Sequence, residues 1–297
     1  MRPDLSICIA NHRTPDLTLA CLRSIVQHSG ALAVETLLVN NTPDDSTVLQ
    51  RAVEALPQGH IWQNEQPLSF AANQNLLLQR AQGRYLLALN SDTLVTPGAL
   101  EDLVRFADAH PACGVVGPRL VHPDGSLQPS CRNFPSPLTH FLEASGLWQI
   151  LRNRRSVGRR YYLCSPHDEV MRVDWLTGAC LLIRAEVLAQ TGGFDAARFG
   201  GMYGEDIDWC RRIHDVGWEI WFDPSATIVH AESASPLDGR TIQMYRGFYR
   251  YCALHLSPFE RRAMRAATLL ALAPRRLLAR SAQQRALYAQ IMALPVQ

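Results

Sequence analysis

Three groups of residues in this 297-residue chain have the types and spacing to do chemistry. Asp92 closes the run Asn90-Ser91-Asp92 directly after an apolar stretch, and Asn90 and Asp92 share one side of an extended segment. A carboxylate there suits Mg2+ or Mn2+, hard cations that favour oxygen donors and keep substrate phosphates in their shell. It equally suits a turn, or the cap of a helix beginning near Pro97. Further along, Glu205, Asp206 and Asp208 fall in the first turn of a helical pattern, behind the loop Gly200-Gly201-Met202-Tyr203-Gly204. Acids there are favoured by the helix dipole alone; on a glycine hinge, one of them can also serve as a general base toward a hydroxyl. His230 ends an apolar run, where its imidazole can complete a metal shell, hydrogen-bond a diphosphate, or serve structure only. Asn73 and Asn75 share one helical turn and read as a binding pair or as solvated amides.

The elements that must position these groups follow from hydrophobic spacing. Apolar runs at residues 5–10, 36–39, 85–89 and 114–116 predict buried strands, and the spacing predicts helices over 15–27, 71–82 and 97–109, the last with proline in its first turn. Such alternation implies parallel βαβ units with right-handed crossovers. Ligands of such sheets sit beyond the carboxyl ends of the strands, and here those ends carry Asn11, Asn40 and Asp92. Turn formers crowd residues 40–45. Residues 122–174 are rich in Pro, Ser and Arg with weak periodicity, which fits an acceptor-side insertion or a loop. Strand character returns at 173–184, helix at 185–191 and 204–216, and strand at 219–223 and 226–230.

Composition narrows the class. Hydrophobic residues make up 47% and charged residues 19%, as in an ordinary globular protein. A net charge of +2 is too small to argue for nucleic acid. The chain has no lysine, so each of its 29 basic side chains of the Lys/Arg class is arginine. The eight cysteines are scattered singly without a C-x-x-C pair, which argues against a zinc site or disulfide framework and for a reducing, cytoplasmic setting. The first residues lack the long apolar region of a signal peptide, and no stretch of about 20 apolar residues would span a bilayer. From Phe259 onward the chain is basic and amphipathic, with seven arginines and the single acid Glu260. Such a tail suits an anionic membrane surface, a helix covering the core, or an oligomer contact. Pro274 is expected to split it into two helices.

In order along the chain stand S-I-C-I-A-N-H, L-L-V-N-N-T, N-E-Q-P-L-S-F-A-A-N-Q-N and A-Q-G-R-Y-L-L-A-L-N-S-D-T-L-V-T-P-G-A-L. V-D-W-L-T-G-A-C-L-L-I-R, T-G-G-F-D, G-E-D-I-D-W-C-R-R and I-V-H follow. Taken together, the series resembles the family 2 glycosyltransferases, particularly their bacterial rhamnosyltransferase-like branch, from about residue 5 to residue 230. The resemblance implies a GT-A-type nucleotide-diphospho-sugar transferase fold, an open, mostly parallel α/β sheet flanked by helices, with a C-terminal helical extension. It implies a glycosyltransferase domain over 1–255, with a donor half at about 1–120 and an acceptor half at about 121–255, and a basic helical tail over 256–297.

It further implies inverting transfer from a nucleotide-diphospho-sugar, dTDP-rhamnose or a UDP-hexose, to a glycan or lipid-linked acceptor in bacterial surface polysaccharide or glycolipid synthesis. Asp92 matches the last acid of the family's D-x-D metal motif, with Asn90 in place of the first, and His230 matches a residue near the metal and diphosphate. Asp206 matches the catalytic base, with Glu205 orienting it or the acceptor. Asn11 and Asn40 match positions around the nucleobase and ribose; Asn73, Asn90, Ser91, Thr177 and Gly178 complete the donor and sugar pocket. Asn40 stands where the family commonly has aspartate, and Trp209 and the Gly200-Gly201 pair also depart from the family pattern. Two further readings use the same residues. A sugar nucleotidyltransferase would also need Asp92 and a metal, but its glycine-rich loop after the first strand is missing from Asn11-His12-Arg13-Thr14-Pro15. A non-catalytic sugar-nucleotide module would use the acids only as helix caps.

Overall fold

The structure, a computed structural model, describes residues 2–42, 46–54, 56, 58–200, 203–232 and 237–295. Residues 43–45 of the expected turn cluster, and Gly201 and Met202 of the expected hinge, lie outside the described residues.

The first half alternates strand and helix: β1 (Leu5–Asn11), α1 (Pro15–His28), β2 (Val34–Asn40), α2 (Ser46–Glu54), β3 (Gly59–Gln63), α3 (Phe70–Leu78), β4 (Tyr85–Asn90), β5 (Thr93–Val95) and α4 (Ala99–Ala109). The middle holds β6 (Cys113–Val121), β7 (Leu127–Gln128), β8 (Cys131–Arg132), α5 (Pro137–Ser145), α6 (Trp148–Leu151) and α7 (Arg155–Gly158). The acid helix follows a broken strand: β9 (Met171–Val173), β10 (Trp175–Leu176), β11 (Cys180–Arg184), α8 (Ala185–Thr191) and α9 (Glu205–Asp215). Last come β12 (Glu219–His230), α10 (Leu237–His255), α11 (Pro258–Leu278) and α12 (Ala282–Ala293).

Among the described residues the main sheet has ten strands, in the order β3-β2-β1-β4-β11-β6-β12-β5, with β7 beside β6 and β9 beside β12. The side-chain period of two sends Leu5, Ile7 and Ile9 into the core on one face of the sheet and Cys8 into the core on the other. Both layers are thereby dry, and the polar residues collect at the strand ends.

The parallel block β3-β2-β1-β4 matches the expected βαβ pattern. β11 departs from it, lying antiparallel to both β4 and β6. Its first residue, Cys180, pairs with Leu89 at the carboxyl end of β4, so the chain enters β11 from the ligand edge and needs no crossover helix. The expected strand at 173–184 is instead three short strands, broken at Asp174 and again at Thr177-Gly178-Ala179. The two strands expected at 219–223 and 226–230 are one, β12, with a register shift between Asp223 and Thr227 that accommodates Pro224. β12 then pairs with β5, setting His230 opposite Thr93.

Pro274 does not divide the tail where its ring predicts. α11 runs through it to Leu278. Leu270, whose carbonyl the proline leaves without its helical partner, is 67% exposed, so water can satisfy the lost bond. α11 begins with a capping box between Ser257 and Glu260 and buries Met264, Ala267, Thr268, Ala271 and Leu272. Thr268 sits in a buried network, accepting from the Tyr249 hydroxyl and bonded to His140 of α5, each at 2.8 Å. The tail thus covers the core with one face, while Leu270, Leu277 and Leu278 stay exposed. No helix of the described residues is long and apolar enough to cross a membrane. All eight cysteines are buried free thiols.

Candidate active site

Asp92 and His230 meet at the carboxyl end of β4. The β5–β12 pairing brings His230 Nε2 to 3.2 Å from Asp92 Oδ1, and Ala231 donates its backbone N–H to the Asp92 carbonyl at 2.9 Å. Both side chains retain about a tenth of their surface, 10% for His230 and 11% for Asp92. The other imidazole nitrogen, Nδ1, lies 2.8 Å from Gln128 Oε1, and the Asn90 amide is 3.3 Å from Nε2. With Nδ1–H donating to Gln128, Nε2 turns a lone pair toward a carboxylate oxygen. Nε2 and Oδ1 at that separation can share a proton as an ion pair, or can both ligate a cation.

No group of three His, Cys, Asp or Glu side chains among the described residues forms a complete metal cage. One carboxylate and one imidazole fit an ion that takes its remaining oxygens from a bound diphosphate, as Mg2+ and Mn2+ do.

The acid cluster resolves into two roles. Asp208 is 2% exposed and paired with Arg212 at 2.9 Å and His255 at 2.7 Å, so it fastens α9 to α10. Glu205 and Asp206 stand side by side at the start of α9. Asp206 keeps part of its surface open and accepts backbone N–H bonds from Ile207 at 2.9 Å and Gly178 at 3.2 Å. Burial raises its pKa, while those bonds and the charge of Arg132 pull it back down. Glu205 is 6% exposed, with Oε2 lacking a hydrogen-bond partner. Burial first, then the Asp206 charge, pushes it to about 8. Both carboxyls are thus raised, and of the two Asp206, with a donor on each oxygen, is the better anion. Gly204 starts the helix at φ 94°, and a Cβ there would stand 2.9 Å from the Gly247 backbone, so only glycine fits.

Thr177-Gly178-Ala179 joins the two ends. Gly178 donates to Asp206, and the Ala179 carbonyl accepts the Asn90 N–H at 2.9 Å. Thr177 is itself fixed by its N–H to the Ser130 carbonyl at 3.2 Å.

The donor-side amides divide. Asn90, Ser91, Thr177 and Gly178 keep part of their surface open. Asn11 and Asn40 are fully buried and bonded to each other at 2.8 Å, with Asn40 also holding the Thr42 carbonyl and Gln63. Asn73 accepts from Asn64 at 2.7 Å and is 2% exposed. These three amides hold the loops beyond β1, β2 and β3 in shape. Asn75 clasps the backbone of Phe194 through both amide atoms, at 2.7 and 2.9 Å.

Sequence reasoning missed Arg132, Gln128, Glu232, Arg240 and His255. Arg132 pairs with Glu143, lies 5.8 Å from the Trp175 ring centroid and feels the Asp206 charge; burial lowers its pKa to about 10. Each stands outside a recognised motif, and only the tertiary fold delivers it.

Residues 3–250 match the family described as glycosyltransferase like family 2. The chain belongs to that family. This glycosyltransferase-family chain is 34% identical over 153 residues to the N-acetylglucosaminyl-diphospho-decaprenol L-rhamnosyltransferase of Mycobacterium tuberculosis, a match covering 51% of this chain and 48% of that protein. It is 29% identical over 239 residues to the O-antigen biosynthesis protein RfbC of Myxococcus xanthus, covering 78% of this chain and 18% of that one. The chain spans about half or less of the length of these curated relatives. Its fold is similar to that of the mannosyltransferase PcManGT from Pyrobaculum calidifontis in complex with GDP-Man and Mn2+, with a TM-score of 0.61 over 97% of this chain and 79% of that one. At 18% identity that likeness concerns the fold alone.

Proposed function

We propose that the chain is an inverting, metal-dependent glycosyltransferase that moves a sugar from a nucleotide-diphospho-sugar to a hydroxyl of a glycan or lipid-linked acceptor, in bacterial surface polysaccharide or glycolipid synthesis. dTDP-rhamnose is the first donor to test, because a relative is named as an L-rhamnosyltransferase, and UDP-hexoses are the second. The observation that carries the reading is the tripeptide 177–179, whose backbone bonds Asp206 on one side and the end of β4 on the other. On this reading the tripeptide would hold the base beside the edge that binds the donor diphosphate.

Asp206 takes the proton from the acceptor hydroxyl as that oxygen attacks the anomeric carbon. The carbon–oxygen bond to the nucleoside diphosphate breaks on the opposite face, and one displacement inverts the configuration. Protonated Glu205 keeps a second negative charge away from the attacking oxygen. Asp92 and His230 would hold a divalent cation, which when bound would supply positive charge toward the departing diphosphate. Asn90 and Ser91 flank the donor, and Thr177 and Gly178 line the sugar pocket. The exposed leucines and arginines of the tail rest on the inner face of the membrane, where a lipid-linked acceptor is presented.

Thermal-shift titration of the wild type with dTDP-rhamnose and UDP-hexoses, with and without Mn2+, tests the reading. A donor at a hundredfold its dissociation constant stabilises by about 2.7 kcal/mol. That gain should require Mn2+ and vanish in Asp92→Ala, and turnover should release a nucleoside diphosphate. Release of pyrophosphate would support nucleotidyl transfer instead, and metal-independent donor binding without turnover would support a non-catalytic module.

A further inference from the structure

Arg240, in the first turns of α10, reaches both ends of the site. Its guanidinium pairs with Oε1 of Glu232, whose Oε2 accepts Gln128 Nε2 at 3.1 Å; Gln128 Oε1 in turn meets His230 Nδ1 at 2.8 Å. On its other side Arg240 donates to the hydroxyl of Tyr203, the residue that leads into Gly204-Glu205-Asp206.

Both residues it holds have backbone conformations that L side chains rarely adopt, with φ 84° at Tyr203 and 49° at Glu232. Such conformations cost on the order of 1–3 kcal/mol each and persist only where the surroundings enforce them. Two turns along α10, a Cβ on Gly247 would stand 2.0 Å from the Tyr203 carbonyl, so helix and loop meet backbone to backbone. Two turns further, His255 bonds Asp208 at 2.7 Å. One stripe of α10 thus braces the whole approach to the acid pair. A planar guanidinium with donors in a fixed fork can serve two acceptors at once, which a single ammonium does less well.

We infer that Arg240 is a positioning residue that couples the two ends of the site. Through Glu232 and Gln128 it sets the His230 ring; through Tyr203 it sets the backbone entering the acid pair. The inference rests on the reading that Asp92 and His230 hold a divalent cation and that Asp206 is the base.

The test compares wild type, Arg240→Met, Arg240→Lys, Gln128→Ala and Tyr203→Phe. Mn2+ affinity is measured by electron paramagnetic resonance in the presence of UDP or dTDP, independently of turnover, alongside kcat at saturating Mn2+ and donor. Groups that orient metal ligands affect affinity by about 10–100-fold. Gln128→Ala should weaken Mn2+ within that range. Tyr203→Phe should leave Mn2+ affinity unchanged and lower kcat at least about tenfold, as loss of a positioning contact does. Arg240→Met should show both losses, and Arg240→Lys should recover Mn2+ affinity more fully than kcat. Should Arg240→Met fail to fold, Gln128→Ala and Tyr203→Phe still decide the two arms separately. Wild-type Mn2+ affinity in Gln128→Ala, or wild-type kcat in Tyr203→Phe, would overturn the coupling alone. A wild type that binds no Mn2+ would overturn the metal assignment and the coupling with it.

Discussion

Replacing Glu205 by glutamine should flatten the decline of stability with pH. Glu205 goes from its ordinary 4.5 to about 8 on folding, because it is buried beside Asp206 with one oxygen unpartnered. Between those two values the folded protein keeps a proton that the unfolded chain has released. Raising the pH through that window therefore favours the unfolded chain, at about 1.4 kcal/mol per pH unit for one proton. From about pH 5.5 to 7.5 the loss is about 3 kcal/mol. For a chain of this length each kcal/mol moves the unfolding midpoint by about 2 °C, so the midpoint should fall by about 6 °C. Glutamine keeps the shape and hydrogen-bonding capacity and carries no ionisable group, so in Glu205→Gln the Glu205 share of this slope disappears. Calorimetric midpoints for both proteins at half-unit pH steps measure the difference, since the titration of groups other than the neighbouring Asp206 is largely common to the two. Parallel midpoint-versus-pH curves would refute the claim that Glu205 holds the proton of the pair.

Asp206→Asn should lower kcat by about 10²- to 10⁴-fold with donor affinity near wild type, and should also cost about 1–3 kcal/mol of stability because its NH2 faces one of the two backbone N–H donors, checked by steady-state kinetics and calorimetry. Asp208→Ala should act on stability instead: removing the partner of Arg212 and His255 should cost about 3 kcal/mol in urea unfolding, discounted because Arg212 is partly exposed. Leu277 and Leu278 are 84% and 80% exposed, and burying a leucine is worth about 1.5–3 kcal/mol, so the double change to glutamate should weaken cosedimentation with phosphatidylglycerol vesicles at least about tenfold. Unchanged cosedimentation would remove the tail as the membrane contact.

The parallel half of the fold was legible because its strands are apolar runs separated by amphipathic helices, the pattern that buries both faces of a sheet. β3 was not, because its five residues are only half buried at the sheet edge and carry no continuous apolar signal. α10 was missed too, since its face toward the acids is made of Arg240, Gly247 and His255, residues that look like surface by type. Asp92, His230 and Asp206 stood out because strand ends and helix starts announce them. The separation of Asp208 from Glu205 and Asp206 could not be read in full: Arg212 is its i+4 neighbour on α9, but the fastening to His255 of α10 is a property of the tertiary fold. Gln128 and Glu232 belong to short or irregular segments, and their meeting across 104 positions is a property of the tertiary fold.

The burial of every native thiol has a practical consequence. Burial pushes Cys21, Cys113, Cys210 and Cys252 up to about 12, so the reactive thiolate is scarce as well as inaccessible. A cysteine introduced at an exposed position, such as Ser156 in α7 or Gln284 in α12, gives a maleimide a single address without deletion of the native eight. A fluorophore pair placed at those two positions would follow α7 and α12 relative to each other when a nucleotide sugar is added.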